Sequence, residues 1–197
     1  MTAAAPTAVT DAGEVLDLAY PRWWAPPDAA ERSLLARMAD PVLDVGCGPG
    51  RIVAALAGAG RPALGVDPSP GAVDAATRRR APALRRSVFD PLPGEGRWGS
   101  VLLLDGNVGI GGDPGALFRR CAALVRPGGQ VVAEVAAPGT PSGPVTVRLE
   151  LGGRAGAWFP WARLAADAVG TVAAAADLAV TGVEAEGGRW FVWTVRP

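Results

Sequence analysis

The stretch Val42-Leu43-Asp44-Val45-Gly46-Cys47-Gly48-Pro49-Gly50-Arg51 decides the fold of this 197-residue chain. Mainly apolar residues lead into three glycines at alternate positions, and apolar residues with helical spacing follow at Ile52, Val53 and Leu56. A parallel strand buried on both faces needs no polar alternation, and glycines permit a tight turn with positive φ and a close ligand approach. The stretch therefore predicts a strand, a glycine turn and a helix whose first N–H groups face a ligand.

A second apolar run, residues 61–67, ends in the carboxylate of Asp67. An acid about 20 residues after the first glycine is placed to meet ribose hydroxyls in doubly wound folds. A dinucleotide fingerprint would read G-x-G-x-x-G, whereas Gly46, Gly48 and Gly50 alternate. We interpret the turn as a site for another nucleoside-bearing cofactor. Two alternatives stay open: a dinucleotide site, and an ordinary strand-turn-helix connection without a ligand.

The order of Asp44, the alternating glycines and Asp67 resembles motif I and the following acidic position of class I S-adenosylmethionine-dependent methyltransferases. The resemblance implies that the turn flanks the methionine and ribose part of the cofactor. It also implies that Asp44 supports the turn or the cofactor amino group, and that Asp67 binds the ribose diol. The other cofactor-binding residues expected in this region are Gly46, Cys47, Gly48, Gly50 and Pro68.

A third strand is predicted over residues 84–89, followed by Asp90 and Pro91. In the family that the chain resembles, an acid at this point binds the adenine amino group, so Asp90 is the expected contact and Phe89 shapes the adenine pocket. Asp90 is equally suited to begin a turn before proline. Both roles are compatible.

A buried strand over 98–104 runs into Asp105-Gly106-Asn107-Val108-Gly109-Ile110-Gly111-Gly112-Asp113-Pro114. This segment occupies the motif IV position and resembles the D-G-N-[IV]-G-I-G-G-D-P block of a group of small bacterial methyltransferases. Asp105 and Asn107 are predicted as catalytic residues that contact methyl donor or acceptor, and Asp105 also as a cofactor contact. Asp113 and Pro114 are expected to be the N-cap and first residue of the next helix.

The adjacent Trp23 and Trp24 cannot share one helix face. They form either a hydrophobic plug over the sheet or an aromatic wall over the substrate. The residues predicted to contact the acceptor are Tyr20, Trp23, Trp24, Asn107, Ile110 and Trp158.

Together these segments predict an α/β fold, a Rossmann-like, doubly wound, seven-stranded and mostly parallel sheet with an antiparallel last strand. Residues 1–40 are expected to be a helical lid or cover, disordered to about residue 12, with helices over 14–20 and 28–38. Residues 41–197 form the methyltransferase domain, with a small flap insertion around 138–160. The last helix is predicted over 162–176, before two strands joined by a hairpin at 184–188.

Composition limits the partners. The formal net charge is zero, so no overall field attracts nucleic acid or an anionic membrane, and no apolar run approaches the roughly 18 residues of a membrane span. The distant Cys47 and Cys121 suit neither a disulfide framework nor a zinc site and favour a reducing compartment. We expect a cytoplasmic protein with a small-molecule partner, binding neither nucleic acid nor membrane, and either monomeric or homodimeric.

The resemblance implies methyl transfer from S-adenosyl-L-methionine to oxygen, nitrogen or sulfur of a small molecule, leaving S-adenosyl-L-homocysteine, with specialised metabolism as one setting. The chain has no histidine, so the commonest general base is absent. That absence favours acceptors that ionise readily or an unprotonated amine, and no metal is expected. The alternatives are a cofactor-assisted cyclisation or elimination, a protein or nucleic-acid methyltransferase, and a cofactor-binding regulatory partner.

Overall fold

The computed structural model describes residues 5–197. Its strands are β1 (Thr7–Thr10), β2 (Val15–Leu16), β3 (Val42–Val45), β4 (Ala63–Asp67), β5 (Ala83–Arg85), β6 (Trp98–Leu103), β7 (Val125–Val135), β8 (Gly143–Leu151), β9 (Arg154–Ala155), β10 (Phe159–Arg163), β11 (Ala179–Glu186) and β12 (Arg189–Val195). Its α-helices are α1 (Tyr20–Trp24), α2 (Ala29–Arg37), α3 (Arg51–Gly58), α4 (Pro70–Arg78), α5 (Pro114–Leu124) and α6 (Val169–Ala174). A 3₁₀ segment spans Asn107–Gly112.

The central sheet has seven strands in the order β11-β12-β7-β6-β3-β4-β5. The five neighbouring strands β7, β6, β3, β4 and β5 pair in parallel. In contrast, β12 runs antiparallel to both β7 and β11. The predicted fold class is therefore confirmed, including the antiparallel last strand. Parallel neighbours place the carboxyl ends of β3, β4 and β6 at one edge of the sheet, where ligands bind in doubly wound folds.

Helices cover both faces of this sheet because successive strand residues point to opposite sides. Leu43 of β3 packs in the cluster that includes Phe118 of α5. Its neighbour Val42 packs in a second cluster that includes Leu34 of α2 and Ile52 of α3. The near-continuous apolar strands of the sequence therefore fit a sheet buried on both sides.

A second, five-stranded sheet joins the N-terminal segment to residues 143–163. It has the order β10-β8-β1-β2, with β9 also pairing with β8, and its pairs are antiparallel. To this sheet, the segment predicted as a flap supplies β8, β9 and the start of β10. The predicted cover supplies β1 and β2. The functions of these segments as flap and lid stay predictions.

Two secondary-structure predictions for the N-terminal segment are wrong. The disorder expected to about residue 12 is contradicted by β1, and residues 1–4 lie outside the described part of the chain. The helix expected over 14–20 is replaced by β2, and Pro21 lies in the first turn of α1 instead of ending a helix. Proline is tolerated there because a first-turn N–H has no intrahelical partner.

The helix predicted over 162–176 is also wrong, because its first residues belong to β10 and α6 covers only Val169–Ala174. Pro160 lies in β10, which is an edge strand, so its missing N–H costs no central ladder bond. The predicted strand over 84–89 ends at Arg85 instead. The N–H of Ser87 donates to the Asp90 carboxylate, a local bond that competes with strand pairing.

Two helix starts follow the sequence closely. Asp28 and Glu31 form a capping box at α2, and the N–H of Ala116 donates to Asp113 at α5.

Among the helices of residues 5–197, none is long and apolar enough to cross a membrane.

Candidate functional site

The glycine turn after β3 is open on one side. Gly46, Gly48 and Gly50 have φ of 71°, 53° and 75°. A Cβ at Gly46 would lie 2.6 Å from Asn107 Nδ2, and one at Gly50 would lie 2.8 Å from the Cβ of Ala76. A Cβ at Gly48 would meet nothing within 4 Å, so packing requires the outer two glycines and leaves free space beside the middle one.

The carboxylate of Asp67, at the end of β4, supports this turn. It accepts hydrogen bonds from the N–H of Gly48 at 3.0 Å and of Ser69 at 2.8 Å. Burial raises the pKa of Asp67, and these two hydrogen bonds oppose that rise. The role of Asp67 in holding a ribose diol stays a prediction.

Asp44, at the end of β3, is a buried carboxyl with 3% of its surface exposed. Burial raises its pKa to about 7. The positive charge of Arg51 lowers the pKa, while the carboxylates of Asp105, Asp67 and Glu31 raise it. Such a group ionises more readily when another cation approaches, as the ammonium of an amino acid would.

Asn107 joins the glycine turn to the segment after β6. Its Nδ2 donates to the carbonyl oxygens of Val45 and Gly46, each at 2.9 Å. This gives Asn107 a structural function, while the catalytic role predicted for it stays a prediction. The bond also explains why a Cβ cannot fit at Gly46.

The glycines after Asn107 allow the second sheet and an aromatic ring to approach this segment. A Cβ at Gly109 would lie 2.2 Å from the Ala162 carbonyl oxygen of β10, and one at Gly111 would lie 2.8 Å from the ring of Phe89. Phe89 is 45% exposed, so much of its ring remains open to solvent. Ile110, predicted as an acceptor contact, is partly buried against the main core.

A buried ionic network surrounds Asp105, and sequence reasoning missed it. Arg51 donates to both oxygens of Glu31, at 2.5 and 2.7 Å, and to Asp105 at 2.8 Å. Arg189 donates to Glu31 at 2.8 Å and to Glu134 at 2.8 and 2.5 Å. Glu134 also accepts the backbone N–H of Asp105 at 2.7 Å.

Arginine contacts keep the carboxylate of Glu31 charged although it is fully buried. Burial raises its pKa, but the hydrogen bonds from Arg51 and Arg189 outweigh that effect, and the resulting pKa is about 2. The sequence indicated Glu31 only as a capping residue. The position of Arg51 directly after the third glycine was the one available signal, and Arg189 had none.

Helix α1 lies across this region, and its five residues are half-buried or exposed. Arg22 extends from it to Asp105 at 3.4 Å, and Arg79 of α4 donates to the Trp24 carbonyl oxygen at 2.9 Å. Tyr20 contacts the rings of Trp23 and Trp24 edge to face, with centroids 5.4 and 6.1 Å away. Three of the four aromatic residues predicted to contact the acceptor therefore form one cluster.

Two other predicted residues have clear local contacts. Trp158 packs under the guanidinium of Arg148 in the second sheet, 4.7 Å from the ring centroid. Asp90 accepts the Ser87 N–H at 3.1 Å, which establishes its role in the turn. Contact of Asp90 with adenine stays a prediction, as do the cofactor roles of Cys47 and Pro68.

The sheet order and the glycine turn at its carboxyl edge define a protein of the class I methyltransferase fold. Residues 42–129 match the family model described as a methyltransferase domain. This match and the shared fold support the class I S-adenosylmethionine-dependent methyltransferase superfamily that the motifs resemble. No curated protein sequence matches the chain.

Solved structures of other methyltransferases share the fold at low sequence identity. A methyltransferase from Bacteroides fragilis, in complex with S-adenosyl-L-homocysteine, superposes with a TM-score of 0.82 at 20% identity, over 99% of this chain and 89% of that one. The sugar N-methyltransferase KedS8 from Streptoalloteichus gives 0.60 at 20%, over 79% of each chain. The 1,6-didemethyltoxoflavin N1-methyltransferase from Burkholderia thailandensis gives 0.58 at 23%, over 85% and 75%.

Proposed function

We propose that the protein transfers a methyl group from S-adenosyl-L-methionine to a nitrogen atom of a small molecule. The observation that carries the cofactor assignment is the open side of the glycine turn at Gly48, whose N–H donates to Asp67, with the buried carboxyl of Asp44 in the strand before the turn. S-adenosyl-L-homocysteine is bound in the similar Bacteroides structure. The residues present fit this cofactor, with Asp44 suited to its ammonium group and Asp67 to its ribose.

When bound, this cofactor would supply a methyl group on a positively charged sulfur, and the acceptor would take that methyl group by in-line displacement. The chain then has mainly to align the acceptor, and alignment of this kind contributes about 7 to 11 kcal/mol in well-oriented reactions. The aromatic cluster of Tyr20, Trp23 and Trp24 and the segment at 105–112 are the surfaces proposed to orient it. Phe89 and Asp90 are proposed to lie at the adenine.

Nitrogen is favoured as the accepting atom because an unprotonated amine needs no general base for attack. The chain has no histidine, and the carboxylates of Asp105 and Glu134 accept hydrogen bonds from arginines. The oxygens of these carboxylates are therefore already occupied by guanidinium groups. Two of the similar structures are described as N-methyltransferases, one of a sugar and one of 1,6-didemethyltoxoflavin.

Calorimetric titration with S-adenosyl-L-methionine and S-adenosyl-L-homocysteine tests the cofactor assignment. We expect micromolar binding by the wild type, lost in Asp67→Ala and retained in Asp40→Ala. Asp40 is a matched control because its carboxylate pairs with Arg61, before β3 begins. Absence of binding by the wild type would overturn the proposal.

The acceptor is then sought by measuring S-adenosyl-L-homocysteine release with separate sets of amines, phenols, thiols and carboxylic acids. Methylated product from the amine set supports the nitrogen assignment. Product from the other sets alone contradicts it, and conversion of a substrate without release of S-adenosyl-L-homocysteine indicates the cyclisation or elimination class. We also propose a cytoplasmic location, because Cys47 and Cys121 are both free and buried.

A further inference from the structure

Arg51 occupies an unusual position for a buried cation. It is the first residue of α3, directly after Gly50, and 4% of its surface is exposed. The N-terminal end of a helix carries partial positive charge, so a cation in its first turn opposes the helix dipole. The glycine turn thus delivers a guanidinium to a place that helix electrostatics do not favour.

The contacts of Arg51 explain what holds it there. Its Nη1 and Nη2 donate to the two oxygens of Glu31, and the same Nη2 donates to Asp105. The fork of the guanidinium therefore joins the start of α2, the start of α3 and the end of β6. A lysine has the charge but not the fork, so it cannot reproduce this geometry.

Asp105 needs such support because its backbone is strained. Its φ is 54°, in the left-handed region that non-glycine residues seldom adopt. Glu134 accepts its N–H, and Arg51 holds its carboxylate. Two residues later, Asn107 donates to the carbonyls of Val45 and Gly46. The segment after β6 is therefore joined to the glycine turn at two residues, at Asp105 through Arg51 and at Asn107.

Arg51 also belongs to the electrostatic surroundings of Asp44. The charged groups facing Asp44 are Arg51 of α3, Asp105 after β6, Asp67 of β4 and Glu31 of α2. Arg51 is the cation among them. Loss of this cation leaves Asp44 facing three carboxylates alone, which disfavours its ionised form.

We propose that Arg51 is a positioning residue that fixes Asp105 against the glycine turn and thereby couples cofactor binding to the acceptor side of the site. Arg51 acts through Asp105 and Asp44 and does not itself touch the reacting atoms. The inference rests on the proposed function, because the ligand of the turn is the proposed cofactor.

The test is calorimetric titration of the folded protein with S-adenosyl-L-homocysteine between pH 6 and pH 8.5. We expect Arg51→Lys to weaken binding about tenfold at pH 8. Arg51→Met should also move the midpoint of the pH dependence to higher pH, because it removes the cation facing Asp44. A purely structural role would weaken binding equally at every pH.

Arg61→Lys is the matched control. Arg61 also forks between a carboxylate, that of Asp40, and the backbone carbonyls of Leu35 and Met38, but it lies before β4 and outside the network. We expect this variant to bind the ligand within about twofold of the wild type.

Asp105→Asn removes the ion pair with Arg51 by changing Asp105 instead. This variant still tests the inference if Arg51→Met does not fold. If Arg51 acts through Asp105, the double variant Arg51→Lys with Asp105→Asn binds no more weakly than the weaker single variant. Additive losses, or wild-type affinity in folded Arg51→Lys at every pH, would overturn the inference alone. Absence of binding by the wild type would overturn the proposed function and this inference together.

Discussion

Replacing Asp44 by asparagine is expected to stabilise the ligand-free protein at and above neutral pH. Burial is the main cause that raises the pKa of this carboxyl from its ordinary value of 3.8 to about 7. Between those two values the folded protein retains a proton that the unfolded chain releases. The free energy of unfolding therefore falls as the pH rises from about 4 to about 7, and this contribution is constant above pH 7.

The size of the effect follows from the same two pKa values. They differ by about 3, and each pKa unit corresponds to about 1.4 kcal/mol, so ionised Asp44 destabilises the fold by up to about 4 kcal/mol. Asparagine has almost the same shape and does not ionise. Asp44→Asn should thus unfold at higher urea concentration than the wild type at pH 8, with the difference shrinking towards pH 4.5.

Urea unfolding followed by tryptophan fluorescence at pH 4.5, 6 and 8 provides the measurement, since the chain has seven tryptophans. The same variant should bind S-adenosyl-L-homocysteine at least about tenfold more weakly, because the ammonium group loses its carboxylate. A gain in stability together with a loss of affinity is expected of a functional carboxyl. An Asp44→Asn protein less stable than the wild type at pH 8, or a difference unaffected by pH, would refute the reasoning.

Three further substitutions test other parts of the site. Arg189→Met leaves the buried Glu31 and the half-buried Glu134 with fewer cationic partners, so it should lower the free energy of unfolding by about 3 to 5 kcal/mol, measured by urea denaturation. Gly48→Ala should cost only about 1 kcal/mol of stability, from its φ of 53°, yet reduce cofactor affinity in calorimetry, because its Cβ would enter the open space beside the turn. Asp113→Ala removes the N-cap of α5 and should cost about 1 kcal/mol in thermal unfolding without changing cofactor affinity, which separates a cap from a ligand contact.

The parts of the fold that could be predicted from sequence are those determined locally. The strand, turn and helix at residues 42–58 follow from adjacent residues, because an apolar run, three glycines and a helical pattern determine them without distant partners. The capping box at Asp28 and the N-cap at Asp113 likewise need only three or four consecutive positions.

The wrong predictions concern strands whose partners are distant. Thr7–Thr10 is a strand because it pairs with β8, whose residues lie about 140 positions later, and an alanine- and threonine-rich segment gives no local sign of that pairing. Ala162 and Arg163, predicted as the start of the last helix, pair with the same strand β8 instead. The second sheet could therefore be predicted only by knowing that the N-terminal segment and residues 159–163 both pair with β8.

The ionic network also joins distant residues and was therefore not predicted, but its role differs from that of the second sheet. Its hydrogen bonds join residues 20 to 158 positions apart, so no local motif predicts it. Burying these charges is poor evidence for stability, since apolar residues of similar volume often replace a buried ion pair at no cost. The network does, however, fix three things at one edge of the sheet: the start of the helix after the glycine turn, the strained backbone of Asp105 and the charges that face Asp44. Positioning, more than stability, is the function that explains its place in the fold.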